Sequence, residues 1–157
     1  MLEALLAEIQ GSGLATHLRF SRWSYAAVNG LHILGIAALV GAVIPLNLKL
    51  LGLWPGIALA SAARLLVPVA ASGLLLALSC GLLLFSTRAQ EYATLEVLQA
   101  KLLLVLLGSF SAAAFHWRHG LTLESASLAG RRLQAVLSLA CWLGALFLGR
   151  LIAFVTA

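Results

Sequence analysis

Four apolar runs, about 23–47, 63–85, 95–117 and 133–155, decide what this chain can become. Each exceeds the roughly 20 residues that an α-helix needs to cross the hydrocarbon core of a bilayer. In lipid every backbone N–H and C=O must be bonded within the protein, which leaves helices or closed barrels. Runs of this length without period-two alternation select helices. Composition agrees, since 62% of the residues are hydrophobic and only 10% are charged. A water-soluble domain carries about 25% charged residues, so polar surface is too scarce here to cover a soluble globule. The expected fold is all-α: one transmembrane domain over residues 1–157, an up-down four-helix bundle in the membrane.

Ahead of the bundle, residues 2–10 place Leu2, Leu5, Leu6 and Ile9 at helical spacing, with Glu3, Glu8 and Gln10 elsewhere on the wheel. That pattern predicts a short amphipathic helix on the membrane surface, ended by Gly11 and Gly13. The opening "MLEALLAEIQGSG" is acidic and only briefly apolar, so no cleavable signal is expected from it. A connector with Thr16, His17, Arg19 and Arg22 follows, and Trp23 and Tyr25 form an interfacial aromatic belt. Lys49 closes the first span, and "LGLWPG" makes the turn to the second. That span is expected to open at Arg64, with Pro68 in its first turn, where proline costs little.

The net charge is +5, but lysine and arginine sit singly at the ends of apolar runs, as snorkelling anchors do. That distribution argues against nucleic-acid binding and for the lipid bilayer as the chain's main partner. Four spans put both termini on one side, side A, with Arg19, Arg22, Arg88, Lys101 and Arg150. Side B has Lys49, Arg64, Arg118, Arg131 and Arg132. The equal numbers give the positive-inside rule no preferred orientation.

Acids are confined to Glu3, Glu8, Glu91, Glu96 and Glu124, and the chain has no aspartate. No nucleophile–base–acid constellation can be assembled from them. No intramembrane carboxylate is available for the proton pathway of a pump either. Cys80 and Cys141 lie in apolar runs without a CxxC partner and read as small packing residues.

The histidines carry the remaining chemistry. His17 and His119 fall in a connector and a loop, whereas His32 and His116 fall in apolar runs, where ionisable side chains are rare and usually functional. In "VNGLHILGIA", Asn29, His32 and Gly35 follow i, i+3, i+6. Ser109, Ala112 and Ala113 stack on the face of His116. A notch of small and polar residues suits another helix, and it equally suits a flat porphyrin held by an imidazole nitrogen. The candidate cofactor site is therefore His32 and His116 as ligands with Asn29 and Gly35 beside the first. Arg64 and Arg118 are placed to meet propionates or lipid phosphates. At 1.5 Å rise per residue the two histidines differ in depth by roughly 10 Å, which neither forbids nor favours one shared haem. A two-fold homodimer could bring two copies of His32 to equal depth. The alternatives are a buried neutral histidine bonded to Asn29, a serine or a carbonyl, and a quinone or proton-relay role.

The segment "WSYAAVNGLHILGIAALVGAVIPLNLKLLGL" resembles a family of small bacterial four-helix membrane proteins of unknown function. Their first helix carries H-x-x-G-x-A-x-x-x-G, here His32, Gly35, Ala37 and Gly41. A D-L-R-L-L-G-L-like motif follows, here Asn47 to Leu53 with Asn47 and Lys49 at the usual Asp and Arg positions. "KLLLVLLGSFSAAAFHW" is similar to the family's third helix, including its Phe-His ending at Phe115 and His116. That family is distantly similar to copper-resistance D proteins and small b-type cytochromes. The resemblance implies a bacterial cytoplasmic membrane location, with haem b or copper as candidate cofactor.

Together these readings give three expectations. The first is a haem b-binding electron-transfer protein or cytochrome subunit. His32 is its leading ligand and His116 the second, and electrons pass to or from a quinol or a partner subunit. The second is a non-catalytic anchoring subunit of a larger complex. The third is copper handling by His32, His116 and Cys80 or Cys141. The many small residues on the helices also suit a homo-oligomer.

Overall fold

The computed structural model describes residues 1–155, all helical apart from short connections. Seven helices follow one another: α1 (Leu2–Gly11), α2 (Gly13–Phe20), α3 (Arg22–Leu50), α4 (Leu59–Ser86), α5 (Ala89–Ala93), α6 (Glu96–His119) and α7 (Leu128–Val155). Four of them, α3, α4, α6 and α7, are long and apolar enough to cross a membrane. The chain is thus an all-α integral membrane protein by length and composition, as its sequence predicts.

The N-terminal region differs from the expected single surface helix and connector. The extended backbone of Ser12 breaks the chain between two helices. Its hydroxyl then accepts the N–H of Ala15, capping α2, so a serine between two glycines starts a helix instead of a linker. Helix α2 buries Ala15 and Leu18 and packs on α3 and α4, while α1 packs on α5. Gln10 Oε1 accepts the N–H of Gln90 at 3.1 Å.

The second span also starts earlier than expected. Helix α4 begins at Leu59, so Arg64 and Pro68 are internal rather than at its opening. The "LASA" segment continues the helix outward because an arginine within the first turns can snorkel and need not mark the boundary. Pro45 in α3 and Pro68 in α4 each delete one N–H donor, which a membrane helix tolerates when its neighbours re-satisfy the freed carbonyl.

The four spans pack in the spatial order α4–α3–α7–α6. The most extensive contact is α3 on α4, the next is α6 on α7, and α3 against α7 joins the two hairpins. Every contact pairs antiparallel neighbours: Gly35 opposes Ala77, Asn47 opposes Ser138, and Gly108 opposes Cys141. Trp142 fills the centre, against Leu39 and Val43 of α3, Ala70 and Leu74 of α4, and Val105 of α6. A second cluster near side B unites Leu50, Leu123 and Ala135. Leucines such as Leu75, Leu82 and Leu106 point outward, as expected where lipid is the solvent.

Candidate functional site at His32

Within α3, His32 lies about 15 Å from the Arg22 end. It faces the i, i+4, i+8 row of α4 formed by Gly73, Ala77 and Gly81. Small residues there let two backbones meet. A Cβ on Gly35 would stand 2.6 Å from the Ala77 nitrogen, and one on Gly73 would stand 2.6 Å from the Leu39 nitrogen. No real Cβ approaches backbone so closely, so glycine at both positions is what permits this crossing.

The close approach brings a carbonyl to the imidazole. His32 Nδ1 lies 2.8 Å from the Ala77 carbonyl oxygen. A carbonyl can only accept, so Nδ1 carries the proton and donates it. The helix's own i+4 N–H uses one lone pair of that oxygen, and the second is free for the histidine. Gly81 makes the space: a Cβ there would come within 3.1 Å of His32 Cε1 and 3.4 Å of Nδ1. The Nδ1–Cε1 edge of the ring is therefore laid against α4. Nε2 makes no hydrogen bond among the described residues, and in this tautomer it holds an unshared lone pair.

The other expected site residues are spread apart. Gly35 is buried under the α4 backbone, so its notch receives a helix. Asn29 is half-buried one turn before His32 and makes no side-chain hydrogen bond among the described residues. His116 sits in the last turn of α6, with Nδ1 3.3 Å from its own cap carbonyl at Gly120. It lies about 30 Å along α6 from the side A end, roughly 15 Å deeper than His32. Arg64 and Arg118 are exposed on side B, away from His32. His17 is exposed with Nε2 3.1 Å from Ser24 Oγ, and His119 bonds Ser125 Oγ at 3.2 Å and packs on Phe115. No three His, Cys, Asp or Glu side chains gather into a metal-ligating group among the described residues. Cys80 and Cys141 are buried, free and on different helices.

Three polar features stand outside the sequence reading. Asn47 donates to Ser138 Oγ at 2.9 Å, both buried, tying α3 to α7. Ser111 donates to Gln134 Oε1 at 2.8 Å, tying α6 to α7. With His32 and Ala77, each of the three helix–helix interfaces thus carries one side-chain hydrogen bond. Lys101, expected as an end anchor, lies inside α6 with its Nζ against Gly149, where a Cβ would come within 3.2 Å. Ser138 and Gln134 are visible in the sequence as polar residues in an apolar run, but their partners depend on helix order. No family model matches the chain, and no curated protein or solved structure matches it either.

Proposed function

We propose that the chain is a small membrane redox subunit in which His32 would hold a b-type haem through its imidazole. The observation behind this reading is the His32–Ala77 hydrogen bond. A histidine that ligates through Nε2 characteristically donates Nδ1–H to a carbonyl or carboxylate, which fixes ring and tautomer and raises the basicity of the free nitrogen. His32 has that arrangement, and its half-buried ring leaves Nε2 on the side away from α4. The chain would supply one nitrogen ligand, His32, because no second histidine stands at the same depth among the described residues. Haem, when bound, supplies one-electron transfer. The chain's own residues hold the imidazole through the Ala77 carbonyl and set its depth along α3.

The test is a reduced-minus-oxidised visible spectrum of protein purified from haem-replete membranes. A haem b signal is expected in wild type and in His116→Ala, and its loss is expected in His32→Ala. A colourless folded wild type, or a His32→Ala protein with an unchanged spectrum, would overturn the proposal. A second reading has its own observation: the contact of Gly35 with Gly73 and the bond to Ala77 already give His32 a complete role as interhelical glue. In an anchoring subunit of that kind, His32→Ala loosens α3 from α4 and changes no spectrum.

A further inference from the structure

At the side A end, α2, α3, α4 and α5 converge on a cavity of about 490 Å³. Three guanidinium groups line it: Arg19 from the end of α2, Arg22 from the start of α3, and Arg88 from the turn after α4. Tyr25 and Tyr92 add two phenols, and Phe20 adds an apolar wall. The chain has few acids with which to balance this. Among the described residues the one ion pair is Arg88 with Glu91, at 3.7 Å, leaving Arg19 and Arg22 without a carboxylate. Arg19 instead stacks over the Phe20 ring at 5.3 Å, which leaves its N–H edge free to donate.

Three arginines around one cavity repel one another unless an anion sits among them. The guanidinium fork matches the oxygens of a phosphate, and phenol hydroxyls can complete the ring of donors. The cavity's surroundings point to the source of that phosphate. Phe20 is 79% exposed and Trp23 is 83% exposed, where a span begins and aromatic side chains sit at headgroup level. A phosphate reaching the cavity with acyl chains attached would lay them beside these rings. A choline group would bring a cation into a cationic pocket.

We propose that the cavity formed by Arg19, Arg22, Arg88, Tyr25 and Tyr92 is a specific site for the phosphate of an anionic phospholipid headgroup. This inference stands apart from the His32 reading, because it uses none of the same residues.

The experiment is native mass spectrometry of the full chain from mixed micelles containing phosphatidylglycerol and phosphatidylcholine. Wild type should retain phosphatidylglycerol selectively. Arg22→Gln with Arg88→Gln should lower that retention roughly tenfold or more, the scale of losing hydrogen bonds to a charged group. Arg132→Gln, which removes a charge at side B, should match wild type. If the double variant does not fold, Arg88→Lys, which keeps the charge without the fork, should still retain less lipid than wild type. Equal retention of the two lipids, or a double variant that retains phosphatidylglycerol like wild type, would overturn the site. Displacement of phosphatidylglycerol by millimolar inorganic phosphate would assign the cavity to free phosphate and overturn the lipid source.

Discussion

The two hairpins of this membrane domain close in different ways. In α3–α4, backbone meets backbone: Gly35 and Gly73 approach so closely that a methyl group on either would strike main-chain atoms at 2.6 Å. In α6–α7, glycine meets side chain: a Cβ on Gly108 would reach Cys141 and Trp142 side-chain atoms at 3.1–3.2 Å, and one on Gly144 would reach the tip of Leu104 at 2.9 Å. A leucine tip can rotate away, and a helix backbone cannot. The first hairpin is therefore rigidly registered and the second is adjustable. Only the rigid one holds a histidine of one span against a carbonyl of the other, which is where a fixed ring orientation has value.

The strongest way to break that contrast is a single methyl group. Gly73→Ala should destabilise the domain by about 3 kcal/mol, the upper range for overpacking a close contact. Gly144→Ala should cost about 1 kcal/mol or less, because the Leu104 side chain can move. Denaturant unfolding in micelles measures both, and equal losses would remove the distinction between the hairpins.

The joint between the hairpins comes next. Asn47→Ala should cost about 1–2 kcal/mol, since it leaves the buried Ser138 hydroxyl without its donor. Ser138→Ala should then add little in the Asn47→Ala background; additive losses in this cycle would show that the two side chains are not coupled.

Gly81→Ala sharpens the comparison within the rigid hairpin. Its methyl meets the His32 ring at 3.1 Å rather than backbone, so the cost to stability should stay near 1 kcal/mol. The imidazole must shift, however, and on the proposed function haem retention falls with it. Unchanged haem content in a folded Gly81→Ala protein would mean that the ring's position is not what holds the cofactor.

The smallest effect lies at the membrane surface. Burial raises the Tyr92 phenol above its ordinary value, Tyr25 and Glu91 add to the shift, and Arg88 opposes it. A raised value means that the neutral phenol persists to higher pH in the folded state. The stability it contributes is present below the unfolded value and is lost as pH rises through the folded one. The chain has two tyrosines, so an ultraviolet pH titration of wild type against Tyr92→Phe isolates it. The variant should lack a phenol that ionises late, and an identical late phase in both proteins would contradict the burial of Tyr92.

The four spans were legible because hydrophobic length is read directly from sequence, and so was the isolation of His32 in an oily helix. Helix ends were less so. Arg64 looks like a boundary but sits inside α4, because a long side chain can snorkel from within a helix. Ser12 looks like linker and is a cap, because its role depends on which N–H it faces. The partners of His32 and Asn47 were not legible at all. Ala77 and Ser138 become neighbours only through the order α4–α3–α7–α6, which is a property of the packed domain. Arg88 lies far from Arg19 and Arg22 in sequence, and the three line one cavity only because α2 folds back onto α3 and α4.

The claim on which the functional reading turns is that His32 is neutral, protonated at Nδ1, and presents a bare Nε2. Nitrogen-15 NMR of the haem-free protein with labelled histidine, assigned against His32→Ala, measures this directly. The account predicts a protonated Nδ1 and an unprotonated Nε2 for His32. A proton found on Nε2, with Nδ1 bare, would contradict the bond to Ala77 and the ligand role together.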